Sequence, residues 1–294
     1  MTIQNVTIIG AGTLGSQIAF QSALKGMHVA AYDPQIAVAK QRLAALATPY
    51  ARDVQLPQAE FDQALATIQV TDDLAAAVAD ADLVIEAIPE AVEIKAKMYS
   101  ELMKVLPAKT IVASNSSTMM PSQLVQYVDR PAQFLHIHFA NQIWKYNVAE
   151  IVGTSVTDPI VFDEAVAFAK AIGMVPITMH KEYPGYILNA LLVPLLNAAL
   201  AVWAKEIADP HLVDKDWMIS TGAPLGPFMI LDVVGLRTPY QIEMNSYQQT
   251  GNPDAKLIAD KLKEMIDAGQ TGRESGQGFY HYPNPEFLAP DFLK

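Results

Sequence analysis

The chain contains no cysteine in its 294 residues. Disulfides, thiolate nucleophiles and cysteine metal sites are therefore excluded outright. Positive charge is also scarce: 20 Lys and Arg stand against 31 Asp and Glu, for a formal net charge of -11. That balance argues against nucleic acid or an anionic membrane as a partner, because either requires a basic footprint. Long apolar runs are missing too. The most apolar stretch, Ala190 to Ala204, is about 15 residues long and carries Pro194 and Asn197, short of the roughly 20 residues of a bilayer span. It reads as a buried helix, and no membrane association is expected. Val6 to Ile9 enter a strand pattern with no basic region, apolar stretch and cleavage site before them, so no export signal is expected and the cytoplasm is the default location.

Apolar material is plentiful. With 51% hydrophobic and 17% charged residues the composition is that of a packed protein. Its length exceeds the roughly 250 residues at which single cores stop growing, so two domains are expected. In the first half, short apolar runs alternate with helix-period stretches, the pattern of repeated βα units feeding a mostly parallel, doubly wound sheet. Strands are predicted at Val6 to Ile9, Val29 to Tyr32, Ile68 to Val70, Leu83 to Glu86, Ile111 to Ala113, Phe134 to Phe139, Ala149 to Val152 and Val175 to Met179. Gly26 is placed to end the first helix, and Pro159 to open one running to Ile172. Beyond Pro184 the strand signal stops, and Ile187 to Trp203, Pro227 to Val234 and Asp254 to Ala268 read as helices. The expected division is residues 1–183, an α/β domain, and 184–294, an all-α domain, hinged at Glu182-Tyr183-Pro184-Gly185.

The first strand runs straight into Gly10-Ala11-Gly12-Thr13-Leu14-Gly15, and a helix begins near Leu14. Strand, glycine loop and helix in this order form a dinucleotide fingerprint. Gly10 permits the tight turn, Gly12 lets backbone approach the pyrophosphate, and Gly15 allows close packing of helix on strand. The helix N-terminus presents unpaired N–H groups and partial positive charge to the phosphates. Asp33 ends the second predicted strand, where a carboxylate binds the ribose hydroxyls and repels a 2′-phosphate, favouring NAD over NADP. A Rossmann-type domain binding NAD is expected.

Further motifs carry a resemblance. Ser114-Asn115-Ser116-Ser117, His138-Phe139-Ala140-Asn141, Glu150, Pro184-Gly185-Tyr186-Ile187-Leu188-Asn189, Gly226-Pro227-Phe228 with Asp232 and Gly235-Leu236, and Ser275-Gly276-Gln277-Gly278-Phe279-Tyr280 follow one another in order. Together they resemble the L-3-hydroxyacyl-CoA dehydrogenase family across nearly the whole chain. The resemblance implies an NAD-dependent oxidoreductase interconverting 3-hydroxyacyl and 3-ketoacyl compounds, with fatty acid metabolism as its setting. It maps the catalytic pair onto His138 and Glu150, a substrate-binding hydroxyl onto Ser117 and a substrate-side amide onto Asn189. Glu90, Lys95 and Asn141 would also contact the cofactor.

The residues fit such chemistry. Alcohol oxidation needs a base for the hydroxyl proton while hydride leaves carbon, and histidine, with an unperturbed pKa near 6.5, serves in either direction. Glu150, on the next predicted strand, could hold the imidazole by its other nitrogen. His136 shares a strand face with His138 by period two, so the motif and not the spacing selects His138. Taken alone, Glu90 and Lys95 look like a helix-start acid and an exposed lysine.

The chain also departs from the family. Ala140 and Gln142 stand where the family pattern has phenylalanine and proline, with Trp144 close behind, which implies a rebuilt pocket wall near the reacting carbon. Between the second and third strands, where acyl-CoA users carry several lysines on a helical hairpin, Lys40, Arg42 and Arg52 are balanced by Asp53, Glu60 and Asp62. No net positive charge remains there for a polyphosphate. In the tail, Glu274 replaces a family lysine, beside Arg273. The His138-Phe139-Ala140-Asn141 variant with Trp144 nearby resembles the diketoreductase branch of the family, and a second branch, the L-gulonate 3-dehydrogenase and λ-crystallin group, also handles non-CoA substrates. A non-catalytic crystallin-like NAD binder is the remaining alternative. The apolar helix Ala190 to Ala204 offers more hydrophobic surface than a small helical domain buries, so a homodimer through that half is expected.

Overall fold

The computed structural model describes residues 3–294. Its backbone packs as two units, one ending at Ile187 and the other spanning Leu188–Lys294. The first is built on an eight-stranded sheet of order β3-β2-β1-β4-β5-β6-β7-β8. Strand β1 (Asn5–Ile9) leads into helix α1 (Thr13–Leu24), which returns to β2 (His28–Tyr32). Three helices follow, α2 (Ile36–Ala45), α3 (Ala47–Val54) and α4 (Gln58–Ala66), and then β3 (Gln69–Thr71). Next come α5 (Leu74–Val78), β4 (Leu83–Glu86), α6 (Val92–Val105), β5 (Ile111–Ser114), α7 (Pro121–Leu124), β6 (Phe134–Phe139), β7 (Val148–Gly153), α8 (Pro159–Ala171) and β8 (Val175–Thr178). All eight strands fall on the predicted runs. The helical hairpin expected between β2 and β3 is three helices, because Gln55 adopts a left-handed conformation (φ 56°) and Pro57 follows it, dividing α3 from α4.

Strands β4, β5 and β6 are buried throughout and mostly apolar, as strands sandwiched between helix layers must be, with Glu86, Ser114, His136 and His138 as buried polar exceptions. Burying a Leu, Ile or Phe side chain contributes about 1.5–3 kcal/mol, which makes this central stretch the rigid part of the unit. One pairing breaks the parallel pattern. Only residues 140–147 connect β6 to β7, too few for the crossover that a parallel pair requires. The chain instead turns back on itself with Gln142 at φ 60°, and β7 pairs antiparallel to β6.

The second unit consists of α9 (Leu188–Ala204), α10 (Pro210–Thr221), α11 (Pro227–Val234), α12 (Arg237–Thr250) and α13 (Pro253–Asp267), followed by a looped tail. Helices α10 and α12 are not legible from apolar periodicity. The α12 sequence is mostly Gln, Asn, Ser, Thr and Tyr, and it is placed by packing on α13. Two buried carboxylates tie the tail down. Asp214 accepts from the amides of Phe228 and Met229 and from the Tyr280 hydroxyl, while Asp232 accepts from the amides of Phe279 and Tyr280. A Cβ at Gly226 would strike Asp214, and one at Gly278 would strike Asp232. The Gly226-Pro227-Phe228 and Gly276-Gln277-Gly278 motifs thus serve this brace. Helix α9 is not wholly buried as its composition implies. Leu196, Ala199, Leu200 and Ala204 face the core, whereas Leu191 is 70% exposed.

Glu243 in α12 is 4% exposed and has no hydrogen-bond or ion-pair partner among the described residues. Burial raises its pKa above the ordinary value. A raised folded-state pKa favours the native protein below the unfolded value, near 4.3, and the benefit is lost as pH rises through the folded value. Glu243→Gln should therefore raise Tm at pH 7 by about 1–3 °C, and the gain should vanish by about pH 4. Calorimetry at the two pH values checks this, and an equal change at both would contradict it.

Candidate active site

The loop after β1 has the geometry of a phosphate cradle. Gly10 sits at φ 95° with its amide on the Tyr32 carbonyl, and a Cβ there would meet the Ala87 carbonyl and the Ile88 side chain. A Cβ at Gly15 would fall on the Gly10 carbonyl oxygen, so α1 approaches the loop as closely as backbone allows. At Gly12 an added Cβ meets nothing within 4 Å, the open approach a pyrophosphate needs. Gly12 caps α1 without a side-chain bond, and Thr13 and Leu14 form the first turn, leaving its amides to a ligand. Asp33 accepts from the Ala11 amide at 3.0 Å and the Gln35 amide at 2.8 Å, so the expected ribose-binding acid also ties the glycine loop to the end of β2. Gly10, Gly12, Asp33, Arg42, Ile88 and Glu90 border a cleft of about 980 Å³ at the C-terminal ends of β1, β2 and β4. These residues fit NAD.

A second cluster lies where β5 and β6 end and β7 begins. Because β6 and β7 run antiparallel, His138 is the register partner of Glu150. Directly opposed side chains lie about 4.5–5.5 Å apart at Cβ, and here the His138 Nδ1 reaches Glu150 Oε2 at 2.9 Å. Both are buried, at 5% and 3% exposure. The other carboxylate oxygen, Oε1, accepts from the Ile187 amide at 2.9 Å. With Nδ1–H donated to a carboxylate, Nε2 carries the lone pair. It faces the Ser117 Oγ at 3.1 Å.

The serine turn after β5 is held from below. Glu90 accepts from the Ser117 amide and the Ser116 hydroxyl, at 2.5 and 2.7 Å. It is therefore no helix cap: α6 starts two residues later with no side-chain cap. Nor is Lys95 exposed. Its side chain is 1% exposed and its ammonium is 2.5 Å from Glu86 and 3.9 Å from Glu90. Glu86, at the end of β4, also accepts from Tyr99, Ser114 and the Ile88 amide. A buried charge needs a partner, so Lys95 is committed to Glu86, and it meets the edge of the cleft through Glu90 and through the Ile88 carbonyl at 3.4 Å. Glu86 was missed in the sequence, although an acid closing the apolar run Leu83 to Glu86 was the available signal.

Asn141 is exposed at the head of the β6–β7 turn, its Oδ1 accepting from Gln17 of α1 at 2.7 Å, which links that turn to the phosphate helix. Gln17 also accepts from the Gln142 amide. Trp144 does not wall a pocket as its sequence position implies. Its indole donates to Asp53 at 2.9 Å and its ring lies 4.8 Å from that of Tyr50, so it is taken up by α3. Asp53 also grips Arg52 through two bonds. Asn189 is half-buried in the first turn of α9, in the second unit, where Arg273 and Glu274 lie in a short 3-10 turn.

A family model for the 3-hydroxyacyl-CoA dehydrogenase NAD-binding domain matches residues 5–183, and one for the C-terminal domain of the same enzymes matches 185–282. The 3-hydroxybutyryl-CoA dehydrogenase of Bradyrhizobium diazoefficiens is 31% identical over 95% of this chain and 96% of its own. A solved diketoreductase, described as performing substrate-directed dual catalysis of dicarbonyl compounds, is 49% identical with a TM-score of 0.91, over 96% of this chain and 100% of that one. The (S)-3-hydroxybutyryl-CoA dehydrogenase of Ralstonia eutropha is 28% identical with a TM-score of 0.81, over 96% and 100% respectively. Among the described residues no helix is long and apolar enough to cross a membrane, and no cluster of His, Asp and Glu is arranged to hold a metal.

Two glycine replacements should separate folding from binding. Gly15→Ala places a methyl on the Gly10 carbonyl and should lower Tm by several degrees as well as abolishing NADH binding. Gly12→Ala projects into open cleft, so Tm should stay within about 2 °C while the Kd for NADH rises at least about tenfold. Thermal melts and fluorescence titration with NADH check both, and a Gly12→Ala protein that binds normally would refute the cradle.

Proposed function

This chain belongs to the 3-hydroxyacyl-CoA dehydrogenase family and is an NAD-dependent oxidoreductase; we propose that it interconverts (S)-3-hydroxyacyl and 3-ketoacyl compounds with His138 and Glu150 as its acid–base pair. The observation that carries this reading is the orientation of one imidazole. Glu150 takes Nδ1–H, and Nε2 is left with its lone pair beside Ser117. NAD, when bound, accepts the hydride from the carbinol carbon in oxidation and returns it in reduction. In oxidation the substrate hydroxyl gives its proton to His138 Nε2 as the C–H bond breaks, and Glu150 stabilises the imidazolium so formed. In reduction the same Nε2–H protonates the forming alkoxide. Ser117 donates to the substrate oxygen and holds it against the imidazole, and Asn189 is assigned to a second substrate oxygen. Glu90, braced by Lys95, keeps the serine turn in register. The assembled pair favours catalysis over a crystallin-like binding role.

Within that reaction the observations favour a 3-keto ester or β,δ-dicarbonyl substrate over a CoA thioester. Arg52 is neutralised by Asp53, which Trp144 also holds, so α3 offers no free cation to a CoA phosphate. The relationship to a diketoreductase at 49% identity points the same way. The exposed face of α9, with Leu188 and Leu191 at 46% and 70% exposure, supports a homodimer through the second unit.

NADH consumption at 340 nm, followed side by side with acetoacetyl-CoA and 3-keto esters, tests the reaction and its substrate class. Activity with neither would sink the reading, and thioester activity alone would sink the ester preference. His138→Ala should lower kcat by about 10²–10⁴-fold, and Glu150→Gln should cost a substantial part of that. Light scattering on the eluting protein should give twice the chain mass, and a strict monomer would remove the homodimer.

A further inference from the structure

Tyr186 belongs to a motif in which Asn189 carries the expected role, yet the structure puts Tyr186 against the reacting histidine. Its ring stacks on that of His138, with centroids 4.3 Å apart and planes 8° from parallel. Its hydroxyl donates to the Ser116 carbonyl at 2.5 Å, one peptide before Ser117. That hydroxyl has a single proton, so its contact with His136 Nδ1 at 2.8 Å is a bond in which the imidazole N–H donates. His136 thus has Nδ1 protonated, and its Nε2 is unpartnered among the described residues. Burial, with Lys95 and His138 nearby, pushes its pKa down to about 3. Tyr186 itself is 4% exposed.

The backbone shows what this placement costs. Tyr186 sits at φ 58°, in the left-handed region that side chains other than glycine rarely occupy, directly after Gly185 at φ 79°. Such a conformation persists only where the surroundings over-determine it. Here the turn sends the Tyr186 ring onto His138 and aims the next amide, that of Ile187, at Glu150 Oε1. One dipeptide thus touches His138, Glu150 and the Ser116–Ser117 turn.

We propose that Tyr186 is a positioning residue: its ring fixes the plane of the His138 imidazole, and its hydroxyl fixes the turn that carries Ser117. This rests on His138 being the acid–base group. Proton transfer at Nε2 is directional, and the Nδ1 bond to Glu150 alone leaves the ring free to rock about that contact. A flat, buried aromatic face removes the rocking. Effects of this kind fall on the chemical step, because the substrate need not touch Tyr186.

The test compares Tyr186→Leu, which removes plate and hydroxyl, with Tyr186→Phe, which keeps the plate. Tyr186→Leu should lower kcat by about 30–100-fold with KM within about threefold, and should enlarge the primary isotope effect with 4-deuterated NADH. Tyr186→Phe should recover kcat to within about fivefold of the parent enzyme. Thermal melts establish folding, and Tyr186→Met takes the place of the leucine variant where that one does not fold. The proposal is overturned if the non-aromatic variant keeps its kcat, if its loss lies in KM alone, or if Tyr186→Phe falls as far. His138→Ala distinguishes the two levels: if it stays active, the catalytic assignment itself fails. If it is inactive while Tyr186→Leu is unimpaired, only the positioning role fails.

Discussion

The site depends on one strand pairing. β7 runs antiparallel to β6 in a sheet that is otherwise parallel, and that reversal sets Glu150 opposite His138. In a parallel arrangement the eight residues 140–147 could not have carried the chain back across the sheet, so the short turn and the histidine–glutamate pair are one structural fact. The pair is buried, which strengthens the Nδ1–carboxylate bond and commits the imidazole to a single tautomer.

Around this pair the chain has arranged supports instead of further reactive groups. Lys95 and Glu86 form a buried ion pair whose other bonds go to Tyr99, Ser114 and the Ile88 amide, so neither charge is left uncompensated. Glu90 passes that rigidity to the serine turn. Gln17 and Asn141 connect the β6–β7 turn to the helix that follows the glycine loop, so the cofactor cradle and the histidine–glutamate pair share a framework. The second unit follows the same logic with Asp214 and Asp232, whose carboxylates replace absent side chains at Gly226 and Gly278 in holding the tail.

The departures from the family pattern acquire a meaning in this framework. Trp144, with Tyr50 and Asp53, binds the β6–β7 turn to α3 and consumes the charge of Arg52 in doing so. Arg52 stays at the surface, but its charge is paired with Asp53. The proposed preference for a substrate without CoA therefore rests on the packing of the helical excursion between β2 and β3 as well as on residues beside the reacting carbon.

Much of this was legible in the residues. All eight strands, the glycine loop with Asp33 and the candidate pair His138 and Glu150 follow from short apolar runs and motif order, which local sequence encodes directly. The helices α10 and α12, the buried state of Lys95 and the placement of Trp144 do not, because packing and side-chain pairing decide them and not local pattern: α13 for α12, Glu86 for Lys95 and the distant Asp53 for Trp144. The same holds for Tyr186, whose place beneath His138 depends on a left-handed backbone that no local propensity would assign to tyrosine. Sequence alone determined the fold class, the cofactor and the residue types available for catalysis. Only the tertiary structure decided which of them meet, since burial and pairing across long separations set the orientation of each charged or aromatic group.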